Sequence, residues 1–477
     1  MPLCDDSAFA IGSERSKTAQ LDSQSPDRVL LVWALYLFVT CIVSDSQIKL
    51  QYHGGLRESR ITTRSWLTGK RLRAHGFILA LSLWSIYVWN ISSPGLLDRG
   101  GNLKGTDFLH LYTLGSVALE HRGADLYNID AQADLAAKRV PTAAGIRYIP
   151  LYPPQLSIFF APIDRFAYSR MLVVWLAVSA LLYAFCTYFV WRTCPSLQQE
   201  KVAFLVLAVA FPGFFHLILW GQSSAVVLVC FTLAYLALRK ERGFLAGLAL
   251  GALMFKPQLG LAASVVFLAT GRWRIIVGAA LSAAAQVLVA WAYYGWGPLR
   301  DWMRTVLGVF DSLSVLEPKL YQTHSLRTFW NLLLIPPHIS LALYVVSASL
   351  VLVGMVMVWR SQLPLSVRYS ALLLATVLVS PHLIVYDMVI LAPAFLLLAD
   401  WLITRPQEAF GRRMGIVLYF AYLSPLLGPL SQRIHVQLSV VLMTAAAFLI
   451  WHVGQRMKFI SGGRAGSLGN ASLEASV

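Results

Sequence analysis

Charged residues are scarce in this sequence. Asp, Glu, Lys and Arg make up 13% of its 477 residues, whereas roughly 25% is typical of soluble domains. Mean hydropathy is +0.63, and apolar windows of about 17–25 residues, long enough to cross a bilayer, recur along most of the chain. Segments of about ten residues with alternating polarity, the pattern of a transmembrane β-barrel, do not occur. The sequence therefore predicts an all-α, polytopic transmembrane helical bundle with about 11–13 membrane segments.

Other common signatures are also missing. None of the five cysteines lies in a long polar loop, so no disulfide framework and no zinc-ligand spacing is available. The chain has no P-loop, no glycine-rich dinucleotide fingerprint and no Asp-x-Asp metal signature. Motifs therefore predict no cofactor and no metal site, although an assisting divalent metal stays an open alternative. The polar residues 1–28 speak against a cleavable signal peptide.

Positive charge is abundant, with 39 Lys and Arg against 23 Asp and Glu. An excess of this sign can mark nucleic-acid binding, but here the basic residues lie in short segments beside apolar runs. Such segments mark the cytoplasmic side of a membrane protein and contact anionic lipid headgroups. The basic segments are 49–73, 239–242, 272–274, 405–413 and 456–458. We therefore predict membrane lipids as partners, no nucleic acid, and an integral location, with the bacterial inner membrane as the expected one.

The same pattern divides the chain. Residues 1–75 are predicted to form a cytoplasmic N-terminal extension with one apolar segment, 29–43, that is too short to classify as a span. Residues 76–455 form the transmembrane domain, which includes an outer loop at 98–150 with balanced charges and amphipathic helices. Residues 456–477 are rich in Gly, Ser and Ala and are expected to form a flexible tail.

Two apolar segments are predicted not to cross. The charge pattern requires an odd number of crossings between the outer loop and the basic loop at 239–242, so the short, proline-containing segment 151–163 is predicted to be re-entrant or interfacial. Both flanks of 243–270 are basic, and Lys256-Pro257 interrupts it, so a hairpin of two short helices is predicted. Spans are predicted at 76–97, 169–191, 202–219, 222–238, 275–294, 338–359, 368–381, 383–403, 412–430 and 436–453. The loop 295–327 is then outside.

Asp107 is the acidic residue of the stretch GTDFLHLYTLG, whose apolar residues recur at helical spacing over 107–121. Two interpretations are open. Thr106 caps the helix while Asp107 complements its dipole, which is worth about 0.3–1 kcal/mol, or the carboxylate takes part in catalysis.

Two further polar stretches lie at the predicted outer boundary. In RYIPLYPP, Arg147, Tyr148 and Tyr152 precede or flank helix-breaking prolines. The tyrosines fit either an interfacial aromatic belt or a contact to a sugar or lipid. In WGQ, Gln222 begins a span, where it either caps the helix or binds a ligand.

Three more stretches place polar groups in or beside apolar segments. Lys256 and Gln258 lie in KPQ, and a lysine within a bilayer costs ~2.5–3.5 kcal/mol on insertion scales, which favours a function over snorkelling. His324 in HSLR is either solvated or functional. In SPHLIVYD, His382 lies at an outer turn and Asp387 follows inside the next span, where a carboxylate needs a partner or a water-filled cavity.

These polar groups all fall at or near the predicted outer face, where nucleotides are not expected. A sugar carried on a polyprenyl phosphate fits this location, because Lys, Arg and His can stabilise the charge of a leaving lipid phosphate. One carboxylate suffices as general base for a direct displacement with inversion, whereas retention needs a second carboxylate as nucleophile.

The ordered set of motifs carries a family resemblance. GTDFLHLY, YIPLYPP, WGQ, GLALGALMFKPQLG with GRWR, and SPHLIVYD follow one another. In this order they resemble glycosyltransferase family 87, the polyprenyl-phosphate-mannose-type mannosyltransferases of the GT-C membrane superfamily, over about residues 76–403. The resemblance implies a GT-C fold with a helix-bearing outer loop after the first core span, and Asp107 as catalytic base. Some relatives carry a histidine-rich Ser-Pro segment where this chain has only His382, so phosphate binding there is not implied.

The resulting hypothesis is an integral-membrane hexosyltransferase with its active site on the periplasmic side. It moves a hexose, mannose by resemblance, from a polyprenyl phosphate to a lipid-linked or cell-envelope glycan, with inversion and with Asp107 as base. Candidates for binding the donor phosphate or sugar are Lys256, His382, His324, Arg147, Tyr148, Tyr152, Gln222, Gln258 and Asp387. The alternative is a transporter or flippase of a lipid-linked sugar, in which the same polar groups line a pathway. A purely structural scaffold leaves the one-sided cluster unexplained.

Overall fold

The computed structural model describes residues 68–308, 317, 319–405 and 409–474, with side chains as far as Met457. Within these residues the chain is helical and forms no strand, only isolated bridges such as Leu97–Leu103. The predicted all-α class is confirmed. The apolar segment 29–43 lies outside the described residues, as does most of the predicted N-terminal extension.

Eight helical segments of the described chain are long and apolar enough to cross a membrane: Gly69–Ile91, Tyr168–Trp191, Leu197–Trp220, Trp273–Tyr294, Pro337–Trp359, Val385–Ile403, Phe410–Ile434 and Leu438–Met457. Four shorter apolar segments are Ser224–Arg239, Gly243–Phe255, Pro257–Ala269 and Leu365–Val379. Eight and four make twelve membrane segments over the described ranges, which agrees with the predicted number.

The α-helices are numbered in chain order: α1 Gly69–Ile91, α2 Thr106–Leu119, α3 Ile129–Arg139, α4 Pro154–Phe160, α5 Tyr168–Trp191, α6 Lys201–Val209, α7 Pro212–Trp220, α8 Ser224–Arg239, α9 Gly243–Gly251, α10 Leu261–Ala269, α11 Trp273–Tyr294, α12 Trp296–Leu307, α13 Leu326–Leu332, α14 Pro337–Trp359, α15 Leu365–Val379, α16 Ala392–Ile403, α17 Ala409–Leu423, α18 Gly428–Ile434 and α19 Leu438–Glu474. A 3-10 helix, Val385–Leu391, leads directly into α16.

The first span lies earlier in the chain than 76–97. Helix α1 begins at Gly69, where the Thr68 hydroxyl accepts a hydrogen bond from the Arg71 amide. It ends at Ile91, because Ser-Ser-Pro-Gly follows and Gly95 has a positive φ of 76°. The span therefore includes part of the basic flank.

Pro212 breaks the span that was predicted as one helix at 202–219. It removes a backbone donor, so α6 ends at Val209 and α7 starts again at Pro212. Side chains from three other helices satisfy carbonyls at this break. The Leu207 carbonyl accepts a hydrogen bond from Tyr422 at 2.6 Å. The Ala208 carbonyl accepts one from Tyr183 at 2.8 Å, and the Val209 carbonyl accepts one from Trp84 at 2.9 Å. A break within a membrane is tolerated when neighbouring helices supply such partners.

The predicted hairpin at 243–270 is present. Helices α9 and α10 are nine residues each and are joined by two 3-10 turns with Lys256 between them. A Cβ on Gly243, at the start of α9, would lie 3.5 Å from the Arg274 side chain near the start of α11. Helix α10 ends at Ala269, four residues before α11 begins. Both open ends of the hairpin are therefore at one end of the bundle, and Lys256 is carried into its interior.

The loop 98–150 contains two helices of different character. In α3 one face is buried and the other is charged, as predicted. In α2, however, residues 108–118 are all buried, because α4 and the turn after it cover the side expected to be exposed. Gly115 makes this possible, since a Cβ there would lie 2.4 Å from the Phe160 carbonyl oxygen.

Three other segments refine the sequence predictions. The segment 151–163 contains only the seven-residue helix α4 and a 3-10 turn, which is too short to cross a bilayer at about 1.5 Å per residue. The loop 295–327 contains helix α12, which sequence patterning did not predict. Helix α19 extends to Glu474, past residue 456, where the flexible tail was expected to begin; flexibility of this end stays a prediction.

Candidate active site

Asp107 lies in the first turn of α2 and is positioned by two close-packed glycines. Gly105 precedes the helix with a left-handed φ of 65°, and Gly221 ends α7 with a φ of 69°. A Cβ on Gly221 would lie 3.0 Å from the Phe108 Cβ and 3.6 Å from the Gly105 Cα. Because neither glycine carries a side chain, the start of α2 can approach the end of α7, which brings Asp107 close to Gln222, the residue after Gly221.

Thr106 does not cap α2. Gly105 occupies the cap position without a side-chain hydrogen bond, and the Thr106 hydroxyl donates to the Leu103 carbonyl at 2.7 Å. The capping interpretation of this stretch is therefore wrong for Thr106, although Asp107 does lie where a carboxylate complements the helix dipole.

Gln222 connects the predicted motifs. Its side-chain N–H donates to Asp107 Oδ2 at 3.1 Å and to the Tyr386 hydroxyl at 3.1 Å. Its Oε1 accepts from the Tyr152 hydroxyl at 3.0 Å and from the Ser223 amide at 2.8 Å. With donors on one side and acceptors on the other, these contacts select a single orientation of the amide.

Lys256 forms a buried ion pair with Asp387. The Lys256 Nζ lies 2.8 Å from Asp387 Oδ1, and the two side chains are 6% and 3% exposed. Ser224 bridges the pair, since it donates to Asp387 and accepts from Lys256 at 3.3 Å. The ammonium also lies 5.3 Å from the centre of the Tyr386 ring. Asp387 thus has the partner that a carboxylate in a span requires.

The tyrosines of RYIPLYPP lie at the same site. Tyr148 donates a hydrogen bond to the Thr106 carbonyl at 2.5 Å, and its ring stacks on His110 with centroids 4.7 Å apart. The Tyr152 ring also packs against His110, tilted by 51° with the centroids 5.4 Å apart. Burial lowers the pKa of His110 to about 4, so this imidazole is neutral and serves as a platform for the two phenols.

Asp107 is electrostatically distinct from an ordinary surface carboxylate. Burial raises its pKa to about 6, against the opposing effects of hydrogen bonds from Gln222 and Tyr386 and of the Lys256 charge. The Asp387 charge raises it slightly further. A carboxylate that releases its proton near neutral pH is suited to general base catalysis.

His382 belongs to a neighbouring cluster. Its Nδ1 lies 2.6 Å from Glu317 Oε1, and Arg327 binds the other oxygen of the same carboxylate. Burial opposes ionisation of Glu317, but hydrogen bonds from His382 and Arg327 and the Arg327 charge set its pKa below the usual value. Because Nδ1 faces the carboxylate, Nε2 is the nitrogen that His382 presents to the rest of the molecule.

Three other predicted residues differ in placement. Arg147 is exposed and pairs with Asp130 at 3.1 Å, without a described contact to the Asp107 cluster. His324 is fully buried, binds Ser439 at 2.7 Å, and has a pKa lowered to about 3 by burial and the neighbouring His216. A neutral imidazole offers hydrogen bonds rather than charge. Gln258 is half-buried and lies two residues after Lys256.

Sequence reasoning missed two residues that matter here. Tyr386 was part of a quoted motif but was not singled out, because a tyrosine in an apolar stretch gives no signal of its own. Glu317 is an isolated acid of the loop 295–327, and no spacing rule connects it to His382, which is 65 residues away. Both are identified only by the folded contacts.

Metal ligands do not converge in the part of the chain that the structure describes, where no group of three or more His, Cys, Asp or Glu side chains has a metal-binding arrangement.

Comparison with known proteins gives one match. Residues 151–381 match the model of glycosyltransferase family 87, a range that includes Tyr152, Gln222 and Lys256 and lies after Asp107. No curated protein and no solved structure matched the chain. With its membrane-spanning helices and this matched segment, the protein is an integral-membrane glycosyltransferase. The match over residues 151–381, just under half of the chain, confirms the resemblance to glycosyltransferase family 87 that the ordered motifs indicated.

Proposed function

We propose that this glycosyltransferase moves a hexose, mannose in the first instance, from a polyprenyl phosphate to a lipid-linked or cell-envelope glycan. The observation that carries the proposal is the Asp107–Gln222–Tyr386 cluster beside the buried Lys256–Asp387 pair. It combines one proton acceptor with a cation in a largely desolvated site next to membrane-spanning helices. The family match supports glycosyl transfer, and the geometry of the cluster supports a mechanism with one general base and one phosphate-binding cation.

In the proposed reaction Asp107 is the general base. The acceptor hydroxyl attacks the anomeric carbon of the donor sugar while Asp107 takes its proton. The bond between the anomeric carbon and the phosphate oxygen breaks, and polyprenyl phosphate leaves with the electron pair. Gln222 supports this role because its donated hydrogen bond orients the carboxylate.

The state of the second carboxylate supports a single displacement with inversion. Retention would require a free carboxylate as nucleophile, but Asp387 accepts hydrogen bonds from both Lys256 and Ser224 and is 2% exposed. Asp107 is then the one carboxylate of this cluster with freedom to react.

Donor phosphate binding is assigned to groups around the pair. Lys256 has three N–H donors, and Asp387 and Ser224 account for two of them. The third N–H of Lys256 and the Nε2 of His382 are suited to the oxygens of the leaving phosphate. Tyr148, Tyr152 and Gln258 are suited to sugar hydroxyls, since each is partly accessible.

The test is transfer of labelled hexose from polyprenyl phosphate in membranes that contain the protein. Wild-type membranes are expected to form a glycosylated lipid or glycan product with inverted anomeric configuration. Asp107→Asn is expected to reduce the rate by roughly 10²–10⁴-fold, the usual contribution of a general base, while the protein remains in the membrane. Full activity of Asp107→Asn would remove Asp107 from this role. Movement of the lipid-linked sugar across sealed vesicles without a new glycosidic bond would favour a flippase instead.

A further inference from the structure

Helix α12 presents a mixed apolar and cationic face to its surroundings. It begins at Trp296, directly after Gly295 ends the membrane-spanning α11. Its strongly exposed residues follow one helical face at spacings of four, three, one and three: Trp296, Arg300, Met303, Arg304 and Leu307. The exposed fractions of the apolar members are 60% for Trp296, 51% for Met303 and 79% for Leu307.

This face is suited to a membrane–water interface. In water its large apolar side chains would be hydrated unfavourably, and in the centre of a bilayer its arginines would be desolvated. An interfacial amphipathic helix with Trp, Leu and Arg accommodates both. Trp291 and Tyr293, at the end of α11, are also exposed, by 55% and 40%, and aromatic residues of this kind mark the interfacial belt.

Charge on this face indicates the partner. Arg300 and Arg304 share a single carboxylate, that of Asp301, at 3.3 and 3.6 Å. The two guanidinium side chains are 52% and 70% exposed. Two cations with one shared anion leave a net positive charge, which is complementary to anionic lipid phosphates. The face is open along its length, which fits a lipid surface rather than one enclosed molecule.

The buried face of α12 contacts the candidate active site. Trp302 donates a hydrogen bond from its indole nitrogen to the Leu151 carbonyl at 3.1 Å. The next residue, Tyr152, donates to Gln222, which in turn donates to Asp107. These contacts connect α12, through Leu151 and Tyr152, to the Gln222 side chain that hydrogen-bonds to Asp107.

We propose that α12 is a membrane-docking element that binds anionic phospholipids of the leaflet on the Asp107 side. Its apolar residues insert between headgroups, and Arg300 and Arg304 contact the lipid phosphates. Docking sets the position of Leu151 and Tyr152 relative to a substrate that is itself carried by lipid. The docking step is inferred from the exposed face alone. Its effect on the rate of glycosyl transfer rests on the proposed function.

The first test measures how deeply α12 lies in the membrane, with the full chain in lipid vesicles of phosphatidylcholine and phosphatidylglycerol. An environment-sensitive fluorophore is attached at Met303→Cys, and at Lys138→Cys on α3 as the matched control. Cys4 and Cys41 are replaced in both variants, whereas Cys186, Cys194 and Cys230 can stay because they are buried. The probe at 303 is expected to be quenched by nitroxide-labelled lipid and the probe at 138 by an aqueous quencher. Equal quenching of both probes by the aqueous quencher would overturn the proposal.

The lipid requirement is tested by transfer activity in vesicles with and without phosphatidylglycerol. Activity of the wild type and of Arg165→Gln/Arg170→Gln, which removes two exposed charges from the same side, is expected to rise several-fold with the anionic lipid. Arg300→Gln/Arg304→Gln is expected to lose that rise. An unchanged rise in this variant contradicts the proposal. Absence of transfer in every sample would count against the proposed function only, because the depth measurement does not depend on it.

Discussion

At the scale of the residue, the site separates two carboxylates that look alike in sequence. Asp387 is neutralised by Lys256 at 2.8 Å and bridged by Ser224. Asp107 receives hydrogen bonds from the Gln222 amide and the Tyr386 hydroxyl, is partly accessible, and has no cation as a direct partner among the described contacts. Their different environments support the proposal that Asp107, rather than Asp387, accepts the proton.

The pH dependence of transfer follows from the raised pKa of Asp107. A base acts only when it is ionised, and burial raises this pKa to about 6. We expect kcat/KM to rise by about tenfold per pH unit below this value and to level off above it. Initial rates with labelled donor from pH 4.5 upward, in membranes checked for intact protein, measure the profile. A rate that is constant down to pH 4.5 would contradict Asp107 as the titrating base.

Gln222→Glu is expected to move that profile. The substitution removes both N–H donors and places a second carboxylate beside Asp107, and each change raises the pKa of Asp107. The midpoint is expected to shift to higher pH by about one unit or more. Ser223→Ala is the control, because it removes a hydroxyl contact to Gln222 at 3.2 Å but leaves the Ser223 amide contact. An unshifted midpoint in Gln222→Glu would show that the amide does not tune Asp107.

At the scale of the element, glycines allow helices to approach so closely that polar groups meet. Helices α9 and α11 are packed through Gly247, Gly251 and Gly278, where an added Cβ would lie 2.1, 2.2 and 2.3 Å from a backbone oxygen of the facing helix. Small residues four apart are a common basis for helix packing in membranes, where the hydrophobic effect does not drive association. This packing fixes the hairpin that carries Lys256.

Gly251→Leu is expected to separate α9 from α11 and to displace Lys256. The Cβ has no room, because the nearest atoms are the backbone of Ala279 at 2.2–2.8 Å. We expect a thermal unfolding midpoint lowered by several degrees and transfer reduced at least tenfold, consistent with overpacking costs of ~1–3 kcal/mol or more. Gly260→Leu, where no atom lies within 4 Å of the added Cβ, is the matched control. Equal loss in both variants would show that leucine itself, rather than the helix contact, is responsible.

At the scale of the whole molecule, the loops that contain the site lie together at one end of the bundle. The Tyr293 hydroxyl at the end of α11 donates to the Ala118 carbonyl of α2 at 2.8 Å, and Trp302 of α12 binds Leu151. The loops 98–150 and 295–307 therefore share one side. The basic loops at 239–242 and 272–274 lie at the other ends of α8 and α11, as the charge pattern predicted.

Sidedness is tested by labelling single cysteines in sealed cells. Lys138→Cys in α3 and Arg304→Cys in α12 are expected to react with an impermeant maleimide from outside, whereas Lys240→Cys is expected to react only after permeabilisation. All three native residues are exposed, so access is decided by the membrane. External labelling of position 240 without labelling of 138 would invert the orientation and place the proposed reaction in the cytoplasm.

Much of the element pattern could be predicted because a bilayer imposes a simple rule. Apolar length decides spans, and basic flanks decide sides, so spans such as Tyr168–Trp191 and the Lys256 hairpin were predicted from the chain alone. The bounds failed where local breakers act, as at Pro94 after α1 and Pro212 between α6 and α7. Helix α12 was not predicted because charged and polar side chains make up a third of its residues and because it follows a span directly.

Within the candidate site, the chain by itself determined which residue types were available and their order, including Asp107, Gln222, Lys256 and Asp387. Which of them touch was decided by tertiary structure. Gln222 forms hydrogen bonds with Asp107 and with Tyr386, which are 115 and 164 residues away along the chain. Such contacts leave no periodic pattern in the sequence, because side-chain pairing depends on how helices pack and not on spacing along one helix. The same packing paired Lys256 with Asp387 and placed His382 against Glu317. It thereby left Asp107 as the carboxylate of this cluster without a cation as direct partner among the described contacts, which supports its proposed role as base.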